Sequence, residues 1–195
     1  VGQGFGPASL QALLKLPLAA IEFAAAGGTN FAKLELLRSN PERQLTFEKI
    51  MNCIAVAKDE GGTVLCGGHA VQLTGRCAGG YFVEPTIIEG LDQNCKTNQE
   101  EIFGPVVTIQ PFDTEEEAIA LANATNYGLA ASIWTQDISK ANRMAAKIEC
   151  GIVWVNCWLV RDLRTPFGGM KNSGVGREGG WEALRFFTEA KNVCI

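Results

Sequence analysis

The sequence predicts an α/β fold, a three-layer unit with a mainly parallel sheet. Three observations carry this. From Phe47 onward, segments of helical period alternate with short apolar runs. One run, "GIVWVN" (Gly151–Asn156), is continuously apolar, the pattern of a strand buried on both faces. Between the runs stand helix-start signals at Thr114 and Asp137.

The elements follow in order. Residues 1–43 are rich in Ala and Leu and read as helical, and no pattern places them on the sheet. The apolar stretch "ALLKLPLAAIEFAAAGG" within them is interrupted by Lys15, Pro17 and Glu22 and has no basic residue before it. It fails as a secretion signal and as a membrane span. In "FEKIMNCIAVAKDEGG", Phe47, Ile50, Met51 and Ile54 share one helix face, and Gly61–Gly62 stop the helix. "TVLC" reads as a short strand, "GGYFVEPTIIEG" as a second extended stretch and "GPVVTIQPF" as a third. Thr114 and Glu117 form a capping box before "EEEAIALANA". "GLAASIWT" is a strand; Asp137 caps "ISKANRMAAKIE", and Gly151 is its stop signal. "GIVWVN" follows. Ligands bind beyond the carboxyl ends of parallel strands, so "NCWLVRD" after it occupies a privileged place. Residues 191–195 read as the start of a strand. The chain begins at Val1 and ends inside that strand, which reads as a piece of a longer chain.

Composition excludes several functions. With 17 Lys and Arg against 21 Asp and Glu, the net charge is -4, and no basic patch invites nucleic acid or an anionic membrane. The seven cysteines contain no C-x-x-C pair and His69 is the only histidine, so no zinc site is expected. Cysteines in apolar contexts read as reduced, packed thiols in a cytoplasmic protein.

Three stretches bear chemistry. "QEEIFGPVV" (Gln99–Val107) sets carboxylates and an aromatic before a strand; a solvated helix end would look the same. "NCWLVRDLRTPFGG" (Asn156–Gly169) puts Cys157 where nucleophiles often sit, yet no histidine lies near it in sequence to form a thiolate, so a packed thiol is the plainer reading. Arg161 in the same stretch suits a bidentate pair with a ligand carboxylate, or a salt bridge to Asp162 or another surface acid. Finally, "TPFGGMKNSGVGREG" contains G-x-G-x-x-G at Gly174, Gly176 and Gly179. A dinucleotide loop needs a strand directly before the first glycine and an acid about 20 residues on. Neither is present, so a glycine-rich turn leading into "WEALRFFTEA" is expected.

Taken in order, "EEIFGPVV", "NYGLAASIWT", "GIVWVNCW" and "PFGGMKNSGVGRE" resemble the C-terminal half of the NAD(P)-dependent aldehyde dehydrogenase superfamily. The resemblance covers residues 44–195, and "NCWLVRDLRTPFGGMK" with "FFTEAKNVCI" is similar to dehydrogenases of 2-hydroxymuconic and 2-aminomuconic semialdehydes. It implies that residues 44–190 are part of that family's catalytic domain. It also implies that the glycine stretch is a turn near the active-site mouth. Glu101 would accept hydrogen bonds from the nicotinamide ribose, with Phe103 near the nicotinamide of NAD. Phe167 would line the aldehyde tunnel, and Arg161, where relatives of apolar substrates carry an aromatic, would meet a substrate carboxylate. The implied reaction is attack of a cysteine thiolate on an aldehyde, hydride transfer to NAD, and hydrolysis of the thioester by glutamate-activated water. A homo-oligomer is implied for the complete enzyme, and a small-molecule aldehyde is its partner.

The family nucleophile lies in a G-Q-x-C block. Here "GQGFG" (Gly2–Gly6) has Phe5 in the cysteine's place, and residues 7–43 do not resemble what should follow. The family's oxyanion asparagine, general-base glutamate and NAD-binding domain have no counterpart. No catalytic residue is therefore assigned, and this chain alone is expected to be inactive. A non-catalytic remnant or binding module pairing with full-length relatives is the alternative.

Overall fold

The structure is a computed structural model that describes residues 40–195. Of the expected helical segment 1–43, residues 1–39 lie outside those described, as does the Gly2–Gly6 block. Contacts divide the chain into two units, one ending at Phe112 and the other running Asp113–Ile195.

The first unit opens with helix α1 (Asn40–Asp59). Its expected apolar face forms: Ile50, Ile54 and Ala57 are buried, and Phe47 meets the Tyr81 ring at 5.6 Å between centroids. Gly61 follows the helix at φ +93°, a conformation that disfavours side chains. Strand β1 (Thr63–Cys66) then pairs antiparallel with β4 (Thr86–Glu89), which pairs parallel with β5 (Val106–Ile109). A small antiparallel pair, β2 (Ala70–Val71) with β3 (Phe82–Val83), lies between β1 and β4 in the chain. Ala57 and Ile88 are fully buried and, with Leu91, form the core between α1 and the sheet; Val64, Cys95 and Val106 pack around it. Burial there pushes the Cys95 thiol pKa up. The one-turn helix α2 (Lys96–Gln99) is capped from α1's end. The Glu60 carboxylate accepts from Lys96 N at 2.7 Å, Thr97 N at 3.1 Å and the Thr97 hydroxyl at 2.5 Å. These bonds, the Thr97 hydroxyl first, hold the Glu60 pKa below its ordinary value.

The second unit contains α3 (Glu115–Asn123), β6 (Tyr127–Gly128), β7 (Ala130–Ile133), α4 (Ile138–Lys147), β8 (Ile152–Val155), β9 (Met170–Lys171) and α5 (Gly180–Phe187). Strands β7 and β8 are parallel, with α4 as their crossover, and β6 pairs antiparallel with β9. Both expected caps are present. The Thr114 hydroxyl accepts from Glu117 N at 3.1 Å, and Asp137 accepts from Ser139 N and Lys140 N at 2.8 and 3.0 Å. The capping box closes one residue early, because the Glu117 carboxylate accepts from Asp113 N. A bidentate pair from Arg143 to Glu115, at 3.1 and 2.8 Å, ties α4 to α3.

The α/β alternation therefore holds, with a mixed sheet: two pairings are parallel and three antiparallel. Three expectations need correcting. Strand β8 is not buried on both faces. Trp154 is 5% exposed while Ile152, Val153 and Val155 are half-buried, because β7 is its only ladder neighbour among the described residues. Gly151 does not stop α4, which ends at Lys147 with Ile148 in extended conformation. Gly151 is instead a contact glycine: a Cβ there would lie 1.5 Å from the Gly168 carbonyl oxygen. Residues 191–195 form no strand, since no ladder partner reaches them among the described residues.

Candidate active site

The first stretch, Glu100–Pro105, links α2 to β5 and is held against α1. Lys49 Nζ donates to the Glu101 carbonyl at 3.4 Å, and a Cβ on Gly104 would lie 2.7 Å from Ile50 Cδ1. Between these anchors Phe103 takes φ +60°, a left-handed conformation costly for an aromatic residue, and the residue is 42% exposed. The Glu101 side chain is exposed as well. The chain thus spends strain to present an acidic acceptor and an aromatic face two residues apart. That pair could receive a ribose diol and a flat heteroaromatic ring. It offers nothing for a pyrophosphate.

The second stretch belongs to the other unit and follows β8. Asn156, at φ +53°, turns its amide onto Thr135: Oδ1 accepts from Thr135 N at 2.9 Å and Nδ2 donates to Thr135 O at 2.8 Å. The loop then folds back over the strand. The Ser132 hydroxyl donates to Cys157 O at 2.9 Å, Trp154 Nε1 donates to Val160 O at 2.9 Å, and the Trp154 and Trp158 rings meet edge to face at 4.7 Å. Leu159 is also left-handed, at φ +56°. All four left-handed non-glycine residues among those described lie in the three stretches singled out by sequence: Phe103 in the first, Asn156 and Leu159 in the second, and Lys171 in the third. Strain of this kind collects at functional sites.

Arg161 and Phe167 are brought together. The guanidinium carbon of Arg161 sits 4.2 Å from the Phe167 ring centroid, within cation–π range. Its ionic partner is Glu178, at 3.2 Å, and not Asp162. Asp162 is occupied by Arg164, whose Nη2 and Nε lie 2.5 and 2.9 Å from its carboxylate oxygens; this hydrogen bonding lowers the Asp162 pKa. Phe167 and Glu178 face each other in an isolated antiparallel bridge, with N–H···O distances of 2.8 and 2.6 Å in the two directions. The Cys157 thiol is half-buried with no base against it among the described residues. His69, in the other unit, is paired with Glu84 at 2.7 Å.

The glycine-rich stretch is a packed turn. No strand runs directly into Gly174, and Gly179 at φ +82° serves as the N-cap of α5. A Cβ on Gly168 would meet Gly176 O at 2.6 Å, and one on Gly179 would meet Thr165 O at 2.5 Å. Arg177 Nη1 pins the turn by donating to the carbonyls of Gly169 and Gly176 at 2.9 and 2.7 Å. Here the glycines serve close backbone approach, as in a turn. Sequence reasoning missed Glu178 and Arg177, because their partners lie across a loop and no short-range pattern marks them. Asn156 carried a local signal, an amide residue directly after an apolar strand. No group of residues that could hold a metal ion is found among the described residues, and no described helix is long and apolar enough to cross a membrane.

The model of the aldehyde dehydrogenase family matches residues 42–193. The 2-hydroxymuconic semialdehyde dehydrogenase of Pseudomonas sp. (strain CF600) is 53% identical over 148 residues, 76% of this chain. The 2-aminomuconic semialdehyde dehydrogenase of Danio rerio is 49% identical over 150 residues, again 76% of this chain. The chain spans 30% and 31% of the lengths of these two curated relatives. Among solved structures, a putative aldehyde dehydrogenase from Burkholderia cenocepacia superposes with a TM-score of 0.72 at 45% identity, over 76% of this chain and 30% of that one. A P. syringae indole-3-acetaldehyde dehydrogenase mutant in complex with NAD+ and IAA superposes at 0.70 and 41%, over 75% and 29%.

Proposed function

The chain belongs to the aldehyde dehydrogenase family, and from that premise we propose that it forms part of an enzyme oxidising a carboxylate-bearing semialdehyde to the acid with NAD. One observation carries the substrate class. Arg161 stands on a loop beyond the carboxyl end of β8, stacked at 4.2 Å on Phe167 and one-third exposed. A guanidinium anchored over a ring keeps its donors available to a carboxylate. The resemblance to semialdehyde dehydrogenases supports the same choice. Phe167 lines the aldehyde's path in this reading.

Glu101 and Phe103 fit one end of NAD, an exposed carboxylate beside an exposed ring. Glu101 would accept from the nicotinamide ribose hydroxyls and Phe103 would pack near the nicotinamide. NAD supplies the hydride acceptor when bound. Among the described residues none is assigned as nucleophile or general base. The chain alone is therefore expected to release no NADH from a muconic semialdehyde, and steady NADH formation by it would return Cys157 to consideration. A cytoplasmic, homo-oligomeric complete enzyme acting on a small-molecule aldehyde belongs to the same reading.

The test is kinetic, in a longer form that includes the nucleophile block. A charge-assisted pair contributes about 1.5–3 kcal/mol. Arg161→Ala should then lower kcat/KM for the acidic aldehyde by one to two orders of magnitude, at about 1.4 kcal/mol per tenfold. Turnover of a simple alkyl aldehyde should change little. Equal losses for both substrates would make Arg161 structural.

A further inference from the structure

The guanidinium assigned to the substrate carboxylate already holds one. Arg161 Nη2 lies 3.2 Å from Glu178 Oε2, and Glu178 is the only acid at salt-bridge distance from it among the described residues. We propose that Glu178 is a built-in counter-ion that occupies the carboxylate position on Arg161, so that a substrate carboxylate binds by displacing it. The inference rests on the reading that Arg161 faces the substrate.

Three observations distinguish a displaceable counter-ion from a positioning residue. First, the Glu178 side chain is 74% exposed, so it can swing into water, where it is fully solvated. Second, its backbone cannot leave. The paired hydrogen bonds to Phe167, 2.8 and 2.6 Å, keep it opposite the ring on which Arg161 stacks. Displacement therefore costs a side-chain rotation and leaves the loop in place. Third, Arg161 has a second fixture in that ring, at 4.2 Å, and does not rely on the carboxylate alone to hold its place. The nearer acid in sequence, Asp162, is engaged by Arg164 and is no competitor.

Glu178 thus sets a threshold. A neutral ligand leaves the Arg161–Glu178 pair intact, while an anionic one must exceed a tethered carboxylate and its residual repulsion. Exposed ion pairs are weak, so the threshold is small; its removal should tighten carboxylate binding about twofold to fivefold.

The experiment titrates this chain with hexa-2,4-dienedioate, and with its dimethyl ester as the neutral control, following tryptophan fluorescence. Glu178→Gln should bind the dicarboxylate about two- to fivefold more tightly than the parent, with the ester unchanged, and Arg161→Ala should abolish dicarboxylate binding. If Glu178→Gln binds equally or more weakly while Arg161→Ala still abolishes binding, the counter-ion role is refuted and the Arg161 reading survives. If Arg161→Ala binds like the parent, or neither the parent nor Glu178→Gln binds, the Arg161 reading falls and takes the inference with it. A second measurement is independent of affinity. An arginine-selective dicarbonyl reagent, with the labelled peptide read by mass spectrometry, should modify Arg161 several-fold faster in Glu178→Gln. An unchanged rate would overturn the inference. Should Glu178→Gln fail to fold, Glu178→Asp, with the carboxylate withdrawn by one methylene, should shift both readouts in the same direction by less; no shift would overturn it.

Discussion

Replacing Gly151 by alanine puts a methyl group where the structure has backbone. Its Cβ would lie 1.5 Å from Gly168 O, 2.7 Å from Gly168 C and 3.3 Å from Gly169 Cα. No rotamer relieves this, because every atom met is main chain. Either β8 or the 168–169 turn must move by about 2 Å to reach ordinary contact distance. Overpacking of this kind costs about 1–3 kcal/mol. The movement also endangers the Gly151 N–Gly128 O bond at 3.0 Å and the paired Phe167–Glu178 bonds. At roughly 1 kcal/mol for each of these three hydrogen bonds, the total comes to about 4–6 kcal/mol, a large share of a domain's stability. Gly174→Ala is the comparison, since that glycine has φ +149° but open space around its Cβ. It should show backbone strain alone, about 1–3 kcal/mol. Urea unfolding followed by tryptophan fluorescence reads both. With a slope near 1.5 kcal/mol/M, Gly151→Ala should lower the midpoint by about 2.7 M or more. A midpoint for Gly151→Ala at or above that of Gly174→Ala would refute the reasoning, since close approach would then matter less than dihedral freedom.

Two further outcomes test local physics. Thr114→Ala removes the acceptor of the Glu117 N–H and should cost about 1 kcal/mol, while Thr114→Ser should restore most of it; equal midpoints for all three in urea would deny the cap. Glu60 has its pKa lowered on folding, by the Thr97 hydroxyl first. Its contribution is therefore fully present above the unfolded carboxyl pKa, about 4.3, and is lost as pH falls through the lower folded value. As pH falls below about 4.3 the parent should lose stability relative to Glu60→Gln, and parallel acid titrations by circular dichroism would argue against it.

Local signals made much of this fold legible. The caps at Thr114 and Asp137, the apolar face of α1 and the strands β5, β7 and β8 each follow from a pattern a few residues long. The burial of β8 did not follow, because an apolar run reports what a strand can bury and not how many neighbours it finds. Gly151 was misread for a related reason. A glycine after a helix looks the same whether it turns the chain or yields space to another backbone, and only the position of Gly168 separates the two. At the candidate site, Arg161 was legible as a cation beyond a strand end. Its partner was not, since Glu178 is brought to it by the Phe167 bridge across the loop. Phe103 was marked by its neighbours "EEIFGP"; its left-handed backbone was not visible in sequence.

The loop between β8 and the Phe167–Glu178 bridge begins and ends on fixtures that do not depend on its own sequence. At one end the Asn156 amide adds a last rung to the β7–β8 ladder through side-chain atoms, at 2.9 and 2.8 Å. At the other, main-chain bonds of Phe167 hold the exit. Such an arrangement is a cassette with standard fittings. Residues between the fittings can be exchanged, lengthened or recharged while the sheet beneath keeps its register. Under the proposed function, transplanting the 157–166 segment of a relative with an apolar substrate, leaving Asn156 and Phe167 in place, should change selectivity without disturbing the β7–β8 ladder.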